Sequence, residues 1–413
     1  MFIKLGDGLI LRNLKNAGDA EKFAAFNAAN TEYEGATCRS LLSHRPNTRL
    51  ENFFIVENEI GEAVSTTCLF PWEISFCGIT MKAAMTEMVY TRPDYRKRGL
   101  VRKQMDNIGE IIKTQNFDLG IINGIPYYYR QFGYSYCLHA MKYENLPAYR
   151  VPALIDAGNF SLRGAGEGDA ETLARMYAKY AACDIYDLRG AEYFIFLTEH
   201  AKYPLYILEN AGSAAGYVAY YIMDKTALIR ECGLPDFTSC AYLLSMLNSC
   251  GANEIKNFGP ESSLLVKYAI SHGSLTEASD QWLIKIVDIP SFLSKLAPVF
   301  NKRLTESGYE NLTAELIINL YETAFKLEFI NGRLVNAENA GFIDYSMGAD
   351  GGGIKIPRDA FVRLVFGFNT LDELQNAWPD AIVSRDKKHL ADALFPRLDS
   401  YLNLPFHYCG PLG

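Results

Sequence analysis

The sequence predicts a chain of α/β and α+β domains, in which a second domain repeats the first and a third domain of different character follows. Its 413 residues exceed what one hydrophobic core usually serves. A strand–helix pattern recurs about one domain length later, and the pattern changes again from about Pro290. We therefore predict domains at residues 1–149, 150–289 and 290–413.

The repeat is first visible in two similar strand–helix starts. Leu11–Arg12 leads into Gly18–Glu21, and Leu162–Arg163 leads into Gly168–Glu171, each followed by an apolar-periodic stretch. An aspartate near the start of a helix is favoured by the helix dipole. The spacing therefore predicts the same strand and helix in both copies.

The next elements repeat as well. Phe54–Asn58 matches Tyr206–Asn210, and each precedes a glycine and a second strand-like run, which predicts two β-hairpins. Pro93–Tyr95 matches Pro235–Phe237, each after a strand and before a helix. The two copies therefore share their scaffold.

The copies differ in the loop before that helix. The first copy continues as Arg96-Lys97-Arg98-Gly99-Leu100-Val101-Arg102, whereas the second continues as Thr238–Tyr242. Free N–H groups at a helix start bind anions, and a glycine lets the backbone approach a pyrophosphate closely. A solvated basic helix start is the alternative, but cations oppose the dipole there. We predict a phosphate-binding loop, and hence catalysis, in the first copy alone.

Composition narrows the classes of function. The formal net charge of −8 disfavours nucleic acid and is compatible with a cationic substrate. No apolar run reaches the roughly 18 residues of a membrane span, and the first residues lack the features of a secretory signal. The nine cysteines form no CxxC pair, which predicts reduced thiols, a cytoplasmic location and no metal site.

A strand pattern at Asp118–Pro126 follows the loop, and Tyr127–Tyr134 comes directly after it. Loop, strand and a Tyr-x-x-Phe-Gly-Tyr segment in this order resemble the GNAT acetyltransferase superfamily. Val101 stands where most GNAT loops have Gly or Ala, which is typical of the enhanced intracellular survival (Eis) acetyltransferases. The whole chain resembles that family, with tandem GNAT domains, the second degenerate, and a sterol carrier protein-like domain carrying Leu364–Phe368 and Leu371–Leu374.

The resemblance implies acetyl-CoA as co-substrate and Tyr129 as the general acid that protonates the departing thiolate. It also implies that the terminal carboxylate, here Gly413, accepts the proton of the amine, with Glu87 as the competing base. The residues expected to bind the co-substrate are Val89, Tyr90, Thr91, Lys97, Arg98, Gly99, Leu100, Val101, Arg102, Gly124 and Ile125.

The expected reaction is acetyl transfer to a primary amine of a cationic acceptor, such as an aminoglycoside-like polyamine or a lysine side chain. The resemblance also implies a homo-oligomer. The rival hypothesis is a non-catalytic acyl-CoA or lipid sensor that works through the third domain.

Overall fold

The computed structural model describes residues 1–31, 35–152, 159–200, 203–344 and 353–403. The first copy contains β1 (Phe2–Gly6), β2 (Leu9–Asn13), α1 (Ala17–Asn30), α2 (Gly35–Ser43), β3 (Phe53–Glu57), β4 (Ala63–Phe76), β5 (Ile79–Thr91), α3 (Leu100–Thr114), β6 (Leu119–Ile122) and β7 (Ser135–Pro147). The second copy contains β8 (Phe160–Gly164), α4 (Ala170–Tyr180), β9 (Ile185–Asp187), α5 (Ala191–His200), β10 (Leu205–Asn210), β11 (Ser213–Met223), β12 (Thr226–Gly233), α6 (Phe237–Ser249), β13 (Glu254–Asn257), α7 (Leu264–Ser271) and β14 (Leu275–Ile286).

The third region is built from short helices and a second sheet. Its elements are α8 (Ile289–Lys295), α9 (Ala297–Glu306), β15 (Ala314–Asn319), β16 (Ala324–Ile330), β17 (Arg333–Gly341), β18 (Gly353–Lys355), α10 (Arg358–Val365), α11 (Leu371–Ala377), β19 (Ile382–Val383), α12 (Lys388–Leu394) and β20 (Ser400–Tyr401). The sheet has the order β17-β16-β15-β18-β19.

The structure confirms the repeated strands, hairpins and helices. β2 with α1 and β8 with α4 occupy the predicted strand–helix starts. The ion pairs repeat too, because Arg12 contacts Asp19 and Glu57 while Arg163 contacts Asp169 and Glu209.

One large sheet joins the two copies through exchanged strands. Its path is β1-β2-β3-β4-β5-β6-β14-β7-β13-β12-β11-β10-β8. Strand β14, from the second half of the sequence, lies between β6 and β7. Strand β7, from the first half, lies between β14 and β13. Each copy therefore completes its sheet with a strand of the other, and the site in the first copy rests on residues from both.

Helices cover the strands that carry the site. On one face, Leu100, Ile108 and Ile112 of α3 pack against Leu69 and Ala84. The opposite face of β4 and β5 belongs to a core that extends into the second copy and the third region. Among the described residues, no helix has both the length and the apolar character needed to cross a membrane.

The third region docks on the exchanged strands through α10. The Ser135 hydroxyl donates to Asp359 at 2.8 Å, and Arg363 donates to the carbonyl of Tyr136 at 3.2 Å. Arg130, close to the predicted site, forms an ion pair with the same Asp359. The third region therefore holds the start of β7 in place.

Candidate active site

The site begins where β5 and β6 separate. The two strands pair in parallel only from Ala83–Thr86 to Leu119–Ile122. Immediately beyond, the register of β4 and β5 shifts between Thr66 and Cys68, and Met88 has φ of 53°. This β-bulge bends β5 away from β6, because an extra residue on one strand increases the local twist. The strands consequently open into a wedge after Thr86.

Hydroxyl groups from β4 hold the bent part of β5. The hydrogen bonds run from Ser65 to the carbonyl of Tyr90 (2.7 Å), from Thr66 to that of Met88 (3.1 Å) and from Thr67 to that of Glu87 (3.3 Å). On the β6 side, no strand of the described chain pairs with residues 87–91. That edge of β5 offers backbone groups to a ligand, as in β-augmentation.

The predicted phosphate loop lies next along the chain. Gly99 has φ of 73° and directly precedes α3, and no side chain caps this helix. A Cβ added at Gly99 would meet no atom within 4 Å. The first N–H groups of a helix have no partner within the helix. The start of α3 therefore presents open donors and the positive end of the dipole to the wedge.

Cations surround this helix start. Arg92 is neutralised by Asp94 at 2.7 Å. In contrast, no carboxylate of the described residues forms an ion pair with the four exposed cations Arg96, Lys97, Arg98 and Arg102. Unpaired cations beside open N–H groups match a pyrophosphate, which accepts hydrogen bonds and carries negative charge.

A cleft of about 580 Å³ runs from this loop into the wedge. Its lining residues are Val89, Tyr90, Thr91, Tyr95, Arg96, Lys97, Gly99, Leu100, Val101, Arg102, Ile125, Tyr128, Tyr129 and Gln131. An elongated ligand with an anionic end and a less polar arm fits such a lining.

Tyr129 lies at the cleft and is only 3% exposed. It sits in a short 3₁₀ turn, and its ring packs against Gly124, where an added Cβ would come within 3.2 Å of the ring. Gly124 also has φ of 149°, a backbone conformation that side chains rarely adopt, so a substitution there is strained. The Tyr128 ring meets the Tyr129 ring edge-on at 5.2 Å.

The electrostatics of Tyr129 keep its phenol protonated. Burial raises the pKa of Tyr129 well above its ordinary value, and the charge of Glu87 raises this pKa further. Glu87 itself is 7% exposed on β5. The phenol is therefore neutral at physiological pH and carries a proton that it can donate.

The cleft brings together nearly all of the residues predicted for the co-substrate. Two of them are not among the lining residues: Arg98 stacks over the Tyr95 ring at 4.7 Å, and Gly124 packs against the Tyr129 ring. Gly413 lies outside the described residues. These placements leave the predicted roles as hypotheses.

The residues expected to bind the co-substrate did not include four that line the cleft, namely Tyr95, Arg96, Tyr128 and Gln131. Arg96 belongs to the loop motif and Tyr95 to the repeated Pro-Asp-aromatic segment, so both carried a signal. Gln131 carried none, since only the 3₁₀ turn brings it beside Arg102, which donates to its amide oxygen.

Comparison with known proteins agrees with this geometry. Residues 19–137 match the family model of the acetyltransferase (GNAT) domain. No curated protein matches the chain significantly.

Solved structures share the fold over nearly the whole chain. A conserved protein of unknown function and probable N-acyltransferase from Enterococcus faecalis V583 has a TM-score of 0.73 and 14% identity, covering 96% of this chain and 99% of its own. A GCN5-related N-acetyltransferase from Anabaena variabilis ATCC 29413 has a TM-score of 0.68 and 12% identity, covering 94% of this chain and 97% of its own. Eis1 from Mycobacterium abscessus has a TM-score of 0.67 and 16% identity, covering 95% of this chain and 99% of its own. At these identities the likeness concerns the fold.

Proposed function

Because this enzyme carries a GNAT N-acetyltransferase domain, we propose that it moves the acetyl group of acetyl-CoA to a primary amine of a cationic acceptor, as an Eis-like enzyme. The observation that carries the proposal is one continuous cleft with an open, cationic helix start along it and the buried Tyr129 in its wall. The fold shared with Eis1 over the length of the chain supports it.

The binding part of the proposal assigns each section of the cleft to a section of acetyl-CoA. The N–H groups at Gly99–Val101, with Lys97 and Arg102, hold the pyrophosphate. The free edge of Val89–Thr91 pairs with the amide groups of the pantetheine arm. Ile125 closes the opposite side of the arm.

The chemical part assigns the proton donor. The amine nitrogen attacks the thioester carbonyl, a C–N bond forms, and the C–S bond breaks with its electron pair going to sulfur. The phenol of Tyr129 donates its proton to that sulfur. Its raised pKa makes the phenol a weaker acid than the departing thiol, whose pKa is about 8.5, so the transfer depends on the phenol being held at the sulfur; solvent restores the proton after product release.

Two groups remain candidates for accepting the proton of the amine. The first is the carboxylate of Gly413, and the second is Glu87, whose charge acts on Tyr129. Appending a short peptide after Gly413 moves the terminal carboxylate, while Glu87→Gln removes the other charge and preserves the shape. The change that lowers turnover more, at unchanged acetyl-CoA affinity, identifies the acceptor.

The reaction is tested by thiol release from acetyl-CoA with a panel of amines. We expect thiol release with polyamines or lysine side chains. We expect little release with amines whose molecules carry no other positive charge or carry a negative charge. Tight acetyl-CoA binding without release on any amine would support the rival sensor function. A sterol carrier-like third region and a homo-oligomeric assembly remain part of the proposal.

A further inference from the structure

The second copy preserves the strand geometry of the active site. Strands β12 and β13 pair in parallel from Thr226–Ile229 to Glu254–Asn257. The register of β11 and β12 shifts at Ala219/Tyr220, so that Arg230 is the extra residue. This bulge follows the last paired residue, as the bulge in β5 does. A wedge between β12 and the segment after β13 is the expected consequence.

The chain itself fills this second wedge. A segment from the end of the described chain, Asp399–Asn403, lines one cavity together with Arg230, Phe258 and Gly259–Glu261. The cavity left there is about 80 Å³, against about 580 Å³ for the cleft in the first copy. The counterpart of the acetyl-CoA cleft is therefore occupied by protein.

The far side of the wedge binds the segment through Asp399. The Asp399 carboxylate accepts hydrogen bonds from the N–H groups of Glu261 at 3.2 Å and Ser262 at 2.8 Å. These donors follow β13, in the position that residues after β6 have in the first copy. The Asp399 carboxylate thus binds backbone N–H groups in the segment after β13, which forms one side of the wedge.

The bulged strand binds the other end of the segment. The Tyr401 hydroxyl donates to the carbonyl of Arg230 at 2.7 Å. The Asn403 amide donates to the same carbonyl at 3.3 Å and to the Glu231 carboxylate at 3.0 Å. The bulge carbonyl is therefore used to hold the segment.

A buried arginine completes these contacts. Arg189 has no exposed side-chain surface and donates to Asp187 at 2.6 Å and to Glu231 at 2.7 Å. It also donates to the backbone carbonyl of Asn403 at 2.8 Å. A buried charge with satisfied partners fixes geometry, because any displacement leaves charges unpaired. Parallel backbone pairing of β20 with β9 also holds the segment in place.

We propose that the wedge of the second copy is an internal docking site for Asp399–Asn403, and that this docking positions the chain that continues towards Gly413. This inference deepens the proposed function and rests on it. It gives the second copy a role other than binding a second acetyl-CoA. Arg189, Asp399, Tyr401 and Asn403 are then positioning residues.

The docked segment lies near the first active site. The indole N–H of Trp282 donates to the carbonyl of Leu402 at 3.3 Å. Trp282 is in β14, and its neighbour Leu283 pairs with Ile122, the last residue of β6 before the wedge. The remaining residues 404–413 span at most about 36 Å when fully extended. A fixed starting point therefore limits where the terminal carboxylate can act.

The test removes the docking contacts without touching the cleft of the first copy. The double variant Asp399→Ala/Asn403→Ala loses the bonds to Glu261, Ser262 and Arg230. Each lost bond to a charged or buried partner weakens local stability, so hydrogen exchange in residues 399–403 should accelerate by about 10-fold or more. Turnover at saturating acetyl-CoA should fall by about 10-fold, while the Kd for acetyl-CoA stays within about 2-fold.

The matched control is Arg397→Ala. Arg397 precedes the segment and donates its hydrogen bonds to Glu373 and the carbonyl of Phe368, both in the third region. It should leave exchange in 399–403 and turnover unchanged. Tyr401→Phe removes one hydrogen bond and no charge, and it should act in the direction of the double variant with a smaller effect, even if the double variant folds poorly.

Unchanged exchange in 399–403 would overturn the docking site. Accelerated exchange with unchanged turnover would overturn the positioning role. Either result differs from failure of the proposed function, in which the parent enzyme releases no thiol with any amine.

Discussion

The two repeat copies start their corresponding helices in opposite ways. In the first copy, Gly99 precedes α3 and offers no side-chain cap. In the second, the Asp236 carboxylate accepts a hydrogen bond from the N–H of Ser239 at 2.7 Å and caps α6. The first N–H groups of any helix need hydrogen-bond acceptors from outside the helix. The first copy leaves the acceptor to be supplied from outside, and the second supplies it from the chain.

The wedges of the two copies also differ in whether the chain itself occupies them. The first is an open cleft, and the second holds Asp399–Asn403. What the copies retain is the scaffold, with bulges at corresponding places and matching ion pairs around Arg12 and Arg163. If only the first copy binds acetyl-CoA, as we propose, then loss of ligand binding in the second copy needs no change of fold. It needs a carboxylate at the helix start and a segment in the wedge.

The largest effect should come from giving the first copy the character of the second. Gly99→Glu places a carboxylate at the open helix start, where we expect it to repel the pyrophosphate and lower acetyl-CoA affinity by about 100-fold or more. Gly99→Ala separates strain from charge, because φ of 73° costs any side chain about 1–2 kcal/mol.

The matched control is Ala241→Glu, at the aligned position inside α6. It should leave affinity within about 2-fold, because the second wedge binds no acetyl-CoA. Calorimetry gives both the affinity and the number of sites. An unchanged affinity for the Gly99→Glu variant would refute the loop assignment, and two sites per chain would refute the difference between the copies.

The next largest effect should appear in the chemical step and not in acetyl-CoA binding. Tyr129→Phe removes the proposed proton donor and should lower kcat by about 100-fold, with acetyl-CoA affinity within a few-fold. Tyr128→Phe changes the adjacent ring, which contacts Tyr129 edge-on, and should alter kcat much less. Steady-state thiol release with calorimetry separates the two variants. A larger loss from Tyr128→Phe would assign the donor role to that residue.

Local sequence patterns predicted the parts of the site that lie close together in the chain. The strand ending at Thr91, the loop to Arg102 and the turn with Tyr129 each have their own pattern, and the structure places all three around one cleft. The repeat also predicted which copy would keep the open helix start.

The remaining features depend on contacts between distant residues. Nothing local in β7 or β14 indicates that the strands are exchanged, since an alternating pattern fits any neighbour in a sheet. The pairing of Asp399 with Glu261 and Ser262 joins residues from different domains. Gly124 shows a subtler limit: its contact with the Tyr129 ring, where an added Cβ would come within 3.2 Å, has no local signal in the sequence.

The smallest effect should appear in the feature that the copies share. The Arg12 cluster is more buried, with 12% of the side chains of Arg12, Asp19 and Glu57 exposed. Arg12→Met leaves Asp19 without its cationic partner, while Glu57 keeps Lys22, and should destabilise the fold by about 2 kcal/mol. Arg163 is 43% exposed, so Arg163→Met should cost about 1 kcal/mol or less. Urea unfolding at pH 7 measures both differences.

The acid dependence of these variants gives an independent check. The hydrogen bond from Arg163 lowers the pKa of Asp169 to about 2. A carboxyl group with a lowered folded pKa adds stability above its unfolded pKa, near 3.9, and loses that contribution as pH falls towards the folded value. The difference between parent and Arg163→Met should therefore be full at pH 7 and shrink between about pH 4 and pH 2. Equal losses for the Arg12 and Arg163 variants at pH 7 would show that burial does not distinguish the two clusters.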